Sequence, residues 1–452
     1  MIGIIMFFAA LLLLLIGYPV AFSFGAAAML FGFIGAIIEL QPDPTFVEII
    51  EEFFLLFSMM PFRIYAMMTN TILMAVPLFI LMGIILQKSA LAERLLESMG
   101  LLFGRIRGGL AVSTVLVGTL LAASTGVVGA SVVAMGVISL PVMLKHGYDK
   151  SLATGTICAS GTLGQIIPPS IVLIILGDVF QLPVGDLFHA ALKPGLVLVT
   201  SYIGYILFIS YLQPQLTQIT TTTRADQNIP DQTKKEKEGW QKALIAILPP
   251  LTLIILVLGS IFAGIATPTE SAAVGALGSL ILSAMYKKLS WSILFDSCCE
   301  TVRITAMVFA VLIGATAFSM VFVYTGADIL VEEFMLNLPG EKWGFLLLSM
   351  AVIMFLGFFI DFIEISYIVV PILLPIAETV GIDPMWFALL IAMNLQTSFL
   401  TPPFGFSLFY LKGVCPSEVQ TVDIYQGVLP FIFLQVMVLL TIMFFPHLYG
   451  LN

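Results

Sequence analysis

Two carboxylates, Asp361 and Glu364, stand in the otherwise apolar stretch from Gly357 to Ser366. An ionisable group is costly inside a membrane and usually marks an ion or substrate pathway. Each also has a blander reading: Asp361 as the cap of a half-helix, and Glu364 as a group that satisfies a neighbouring helix. Neutral polar residues cluster around two proline pairs. Ser160, Thr162, Gly164, Gln165, Ile167 and Ser170 surround Pro168 and Pro169, while Asn394, Gln396, Thr397, Ser398, Thr401 and Phe404 surround Pro402 and Pro403. A third polar group, Ser124, Thr125 and Gly126, lies in the middle of a small-residue stretch that continues through Gly129 to Ser131. Hydroxyl, amide and carbonyl oxygens without soft donors suit a small hard cation. Unwound backbone between opposed helix ends suits an anionic organic solute. The competing reading of the small-residue stretch is close helix packing.

These residues need elements that hold them within a bilayer. Hydrophobic residues make up 60% of the 452 positions and charged residues 10%, whereas soluble domains carry roughly a quarter charged. Apolar runs near the spanning length of about 20 residues recur from end to end, so the chain reads as an all-α polytopic membrane protein. The run from Met1 to Ile16 has no basic n-region and no small-residue cleavage site, and is expected to be a retained span. A proline pair removes backbone donors and clashes with the preceding turn, so each pair predicts a broken helix whose freed carbonyls find partners around a cavity.

Several chemistries are excluded by composition. The net charge of −9 argues against a nucleic-acid partner, and no phosphate-cradling Gly-x-x-x-x-Gly-Lys-Ser/Thr motif occurs. Cys158, Cys298, Cys299 and Cys415, with His146, His189 and His447, lack the spacing of a metal site. Energy for transport is therefore expected from a gradient or another subunit.

The proline pairs lie 234 residues apart, and at the same offset Leu140-Pro141 falls on Leu374-Pro375 and Gly147-Tyr148-Asp149 on Gly381-Ile382-Asp383. The chain reads as a duplicated unit. The first repeat, 1–212, comprises spans, an arm, a re-entrant hairpin over 108–141 and a broken helix over 151–177. A polar linker occupies 213–242. The second repeat, 243–452, carries its hairpin over 344–375 and its broken helix over 384–411. Basic residues Lys88, Arg94, Arg105, Arg107, Lys145 and Lys150 bracket the first hairpin, whereas Asp328, Glu332, Glu333, Glu341, Glu378 and Asp383 bracket the second, with Lys342 the only base. The excess of bases on cytoplasmic loops then makes the repeats inverted, with one hairpin from each side and both termini periplasmic. Lys287, Lys288, Lys412 and the linker bases fall inside; Glu39, Asp43, Glu48, Glu51 and Glu52 fall outside, together with the discordant Arg63.

Three stretches carry a family resemblance: Ala159 to Gly164 through Pro168-Pro169-Ser170, Gly264 to Ala273 with its Thr267-Pro268-Thr269-Glu270 core, and Leu400 to Gly405. Together with the hairpins they cover almost the whole chain, which resembles the large membrane subunit, DctM type, of tripartite ATP-independent periplasmic (TRAP) transporters. The resemblance implies an elevator-type secondary transporter of the ion-transporter superfamily in a bacterial inner membrane. It also implies sodium coupling, a small four-helix membrane subunit (DctQ type), and a periplasmic solute-binding protein (DctP type) that delivers a small organic anion. Carried over by motif, one sodium site looks like Gly357 with Ser398, Thr401 and Phe404. The 234-residue offset proposes another from Gly164, Ile167 and Ser170 with the tip Ser124, Thr125 and Gly126. Ser160, Thr162, Asp361, Glu364, Asn394, Gln396 and Thr397 remain as substrate-binding candidates, and Pro168, Pro169, Pro402 and Pro403 as structural breaks.

The chain departs from the common family pattern at both tips, with Ser124-Thr125-Gly126-Val127 in the first and Phe362-Ile363-Glu364 after Asp361 in the second. The substrate expected is a carboxylate such as a 2-oxo acid or a dicarboxylate. A stand-alone ion-coupled carboxylate carrier or exchanger is the alternative within the same fold. A membrane-embedded enzyme is the alternative outside it, and would need a second acid–base partner for Asp361 and Glu364.

Overall fold

The computed structural model describes residues 1–40, 44–89, 106–217 and 248–451. Most of the 213–242 linker, Asp43, Arg94, Arg105 and the arm after Ser89 lie outside the described residues. The described chain is helical, with one isolated bridge between Tyr148 and Thr217. Its first half runs α1 (Ile2–Ile16), α2 (Val20–Glu39), α3 (Phe46–Phe57), α4 (Met60–Met68), α5 (Ala75–Lys88), α6 (Gly109–Thr125), α7 (Val128–Lys145), α8 (Lys150–Thr162), α9 (Ile171–Val179) and α10 (Val184–Leu212). The second half runs α11 (Leu248–Phe262), α12 (Pro268–Met285), α13 (Trp291–Tyr324), α14 (Ala327–Leu336), α15 (Lys342–Leu356), α16 (Phe362–Thr379), α17 (Pro384–Leu400), α18 (Phe406–Val414) and α19 (Thr421–Phe444).

Local chemistry sets several helix starts. Thr45 with Glu48, and Thr267 with Glu270, form capping boxes in which each side chain satisfies the other's backbone amide. Both broken helices begin alike: a glycine at positive φ, Gly147 (76°) or Gly381 (71°), turns the chain. The aspartate two residues on, Asp149 or Asp383, then accepts from first-turn amides. The same local structure thus recurs 234 residues apart. Pro141 and Pro375 do not end their helices; they lie inside α7 and α16, which continue to Lys145 and Thr379.

Six helices are long and apolar enough to cross a membrane: α2, α7, α10, α13, α16 and α19. Of these, α7 and α16 are the most buried, at 56% and 61% against 33–50% for the rest, which puts them inside the protein and the others against lipid. Packing divides the helices into two groups. α2 lies against α1 and α13, and α5 against α12 and α13. In the second group α6 and α7 straddle α8, α15 packs on α17, and α19 runs along α8, α10 and α17. Residues assigned to one side of the membrane by charge also meet: Lys150 and Lys412 both donate to carbonyls of the 418–419 turn, and Tyr324 donates to Glu52.

The tightest crossing joins the two halves. A Cβ on Gly155 of α8 would overlap the Gly427 carbonyl oxygen of α19, and one on Gly427 would overlap the Ser151 carbonyl oxygen. Only backbone fits there, as in the small-residue interfaces of membrane helices. Gly155→Val therefore forces the two backbones apart, and overpacking at a backbone obstacle costs about 3 kcal/mol or more. Thermal unfolding in detergent is expected to show a clearly lowered melting temperature, and an unchanged one would contradict this crossing.

Candidate functional site

Each proline pair separates two collinear half-helices. After Thr162 the chain makes one tight turn over Leu163–Gln165 and passes Pro168 and Pro169 in extended form to Ser170, which caps α9. After Leu400 it passes Pro402 and Pro403 and resumes at Phe406. Both proline pairs contain a cis peptide bond. The freed carbonyls are bonded: Ser170 Oγ donates to Gln165 O (2.6 Å), Ser407 Oγ to Phe399 O (2.8 Å), and Tyr425 of α19 to Pro403 O (2.9 Å). Gln165 itself is fully buried in the first break, with neither end of its amide partnered.

A hairpin tip is seated on each break. The first tip turns at Gly126 (φ 62°), whose amide bonds Ala122 O, and α7 starts at Val128. A Cβ on Gly164 would overlap the Ala122 carbonyl oxygen, and a Cβ on Gly126 would lie 2.9 Å from Ile171 at the start of α9. The Ser124–Gly126 tip, Gly164 and Ser170 are thus brought together. Ile167 lies between them, buried, with its amide bonded to Leu163 O (2.9 Å).

At the second site, a Cβ on Gly357 would overlap the Ser398 hydroxyl. Ser398 Oγ donates to Leu395 O (2.8 Å) and Thr401 Oγ1 to Thr397 O (2.7 Å), so both oxygens keep lone pairs for a ligand. Phe404 packs its ring on Phe359 of the tip at 5.1 Å and is 45% exposed. The glycine that permits close approach is on the break in one site and on the tip in the other.

The substrate-binding candidates separate. Asp361 caps α16 by accepting from the Phe362 amide (2.7 Å). Glu364, 4% exposed, leaves one carboxylate oxygen without a partner, and the Ser366 hydroxyl nearby is also unpartnered. Asn394 donates to Met350 O (2.7 Å), fastening α17 to α15. Thr397 and Ser160 donate to carbonyls within their own helices. Thr162 accepts from Gln435 of α19 (3.4 Å). Gln396, its counterpart 234 residues on, lies beside Tyr202 of α10, short of hydrogen-bond geometry, and both ends of its amide are unpartnered. These two residues engage the long unbroken helices.

Sequence reasoning missed Asp178, Asn70 and Tyr367. Asp178 is 8% exposed at the end of α9; one oxygen accepts from Asn70 Nδ2 (2.6 Å) and the other from Tyr367 OH (3.3 Å). A lone carboxylate closing the apolar run from Ile171 was the signal that could have found it. Gln435 and Tyr202 carried no such signal.

The chain matches the family model described as the DctM component of tripartite ATP-independent periplasmic transporters over residues 5–448. It is 31% identical to the C4-dicarboxylate TRAP transporter large permease protein DctM of Pseudomonas aeruginosa, over 76% of this chain and 77% of that one. It is also 31% identical to the isethionate TRAP transporter permease protein DctMQ of Oleidesulfovibrio alaskensis, over 83% of this chain, and spans 57% of that longer protein. Identity to the sialic acid TRAP transporter large permease protein SiaM of Vibrio cholerae is 29%, over 84% and 85% of the two chains. In fold it resembles the YdaH transporter of Alcanivorax borkumensis, with a TM-score of 0.60 at 14% identity, covering 96% of this chain and 98% of that one.

The seating of the second tip has a direct check. Gly357→Ala drives a methyl group into Ser398, and overpacking of this kind costs roughly 1–3 kcal/mol. Adding Ser398→Gly removes the obstacle, so the double variant is expected to recover most of the lost melting temperature. Two additive losses would place Gly357 away from Ser398.

Proposed function

The chain belongs to the DctM component family of tripartite ATP-independent periplasmic transporters, and from that premise we propose that it imports a small organic anion with sodium across a bacterial inner membrane. The observation that carries this reading is the pair of hairpin tips, each seated through a glycine on a proline-broken helix: Gly164 under Ala122, and Gly357 against Ser398. Each junction gathers hydroxyl and carbonyl oxygens without a soft donor, the ligand set of a small hard cation. The Ser398 and Thr401 oxygens at one junction, and the buried amide of Gln165 at the other, retain capacity for a ligand.

The transported solute is an organic acid, a 2-oxo acid or dicarboxylate by preference. The relatives are named for C4-dicarboxylate, isethionate and sialic acid, each an organic acid. Glu364 and Ser366 supply unpartnered buried oxygens at the second tip, so a polar or cation-assisted contact there fits better than an apolar one. In the tripartite assembly a periplasmic DctP-type protein delivers the anion, and a DctQ-type subunit of four helices flanks this one. The fused character of the longer DctMQ relative, of which this chain spans 57%, supports a separate small subunit here.

The movement is an elevator: α6–α10 and α15–α19 carry the junctions as a body against α1, α2, α5, α12 and α13. What supports it is the division of packing between those two groups. The inverted arrangement, with both termini periplasmic, rests on the charge asymmetry of the loops and on the same-side contacts of Lys150 and Lys412 with the 418–419 turn.

Uptake into proteoliposomes holding all three subunits tests the coupling: accumulation is expected only with an inward sodium gradient, and accumulation without one sinks the sodium claim. For the site, Ser398→Ala with Thr401→Ala removes two candidate ligands. The half-saturating sodium concentration is expected to rise about tenfold, the equivalent of 1.4 kcal/mol; an unchanged sodium dependence would contradict the assignment.

A further inference from the structure

Asp178 is a carboxylate at the C-terminal end of α9, where the helix dipole disfavours negative charge. Helix stability therefore does not explain it. Both of its oxygens are committed to residues far away in the chain, Asn70 and Tyr367. Asn70 belongs to the turn that leads into α5, and its own carbonyl oxygen accepts from the amides of Ile72 (2.9 Å) and Leu73 (3.3 Å). Those two amides fix which end of the side chain faces Asp178. Tyr367 lies in the wide turn Ile365–Val369 of α16, a π-type irregularity of the kind that accompanies function in membrane and soluble helices alike. Three elements meet at one buried carboxylate: the approach to α5, the first broken helix and the second hairpin.

We propose that Asp178 is a latch, a positioning residue that holds the second hairpin and the first broken helix in register with α5 and is released when they move. The proposal rests on the elevator reading given above. α5 packs on α12 and α13, so Asn70 sits with one group of helices while Asp178 and Tyr367 sit with the other. A second bond crosses the same seam at the far end of α5, from Gln87 Nε2 to the Ala130 carbonyl at the first tip (3.5 Å). The Gln87 bond is long and neutral; the Asp178 bonds are charge-assisted and mostly shielded from water, and dominate the holding force. A carboxylate with two donors also gives a definite stop, because sliding by one helical turn would leave it unpaired in a low-dielectric seam.

The test uses the three-subunit transporter in proteoliposomes, with Cys158, Cys298, Cys299 and Cys415 replaced. In one arm, Asn70→Cys with Asp178→Cys is bridged by a short bis-methanethiosulfonate and later released by dithiothreitol. Uptake is expected to fall to background on bridging and to return on release. Uptake that persists at complete bridging overturns the movement and the latch with it. In the other arm, Gln87→Cys with Ala130→Cys reports how often the seam adopts the described register, through its bridging rate. Asn70→Ala or Tyr367→Phe should slow that bridging about fivefold, the equilibrium weight of roughly one hydrogen bond. Asp178→Asn, which keeps the size and one acceptor, should give an intermediate rate. Equal rates in all three, at unchanged melting temperature and with uptake still blocked by the first bridge, overturn the latch and leave the elevator standing.

Discussion

A peptide carbonyl without a partner is costly in a membrane interior, and two proline pairs free several of them in the middle of this chain. Everything around the breaks answers that constraint. Ser170 turns back on the Gln165 carbonyl, Ser407 on that of Phe399, and Tyr425 reaches across from α19 to that of Pro403. The first break is satisfied from within its own segment, the second partly by a neighbouring helix. This keeps the unwound segments ordered while leaving oxygens such as those of Ser398 and Thr401 open on one side. A site made this way needs no charged residue to hold its shape.

The same constraint explains why the hairpin tips press so closely on the breaks. A tip that stood off would leave its terminal amides and carbonyls facing a void or lipid. Contact at backbone distance requires one partner without a side chain, and only one. The first junction places that glycine on the break, at Gly164, and the second on the tip, at Gly357. Pseudo-equivalent sites have thus reached the same closeness by opposite substitutions, which makes their ligand oxygens differ: a main-chain carbonyl at Ala122, a side-chain hydroxyl at Ser398.

Much of this was legible in the sequence because it is local. Proline pairs break helices wherever they fall, and the Gly147 and Gly381 turns with their Asp149 and Asp383 caps announce helix starts in both halves. Family membership and the all-helical membrane fold followed from such features and from composition. Helix ends at Pro141 and Pro375 did not, because a membrane helix tolerates an interior proline when its neighbours supply partners. The contacts of Asp178 with residues 108 and 189 positions away leave no periodic trace. Nor does the engagement of Thr162 with Gln435: a hydroxyl next to a break reads as a ligand, and only packing shows that it faces another helix.

The Gly155–Gly427 crossing bears on how the molecule arose. A duplicated unit begins as two interchangeable copies, each able in principle to pair with itself. In this chain the glycine of α8 in the first half meets a glycine of α19 in the second, while the residue 234 positions beyond Gly155 is Leu389. The reciprocal pairing therefore lacks the notch that the first one uses. The halves have become lock and key, so neither could replace the other, and the ancestral homodimer is no longer recoverable by cutting the gene in two.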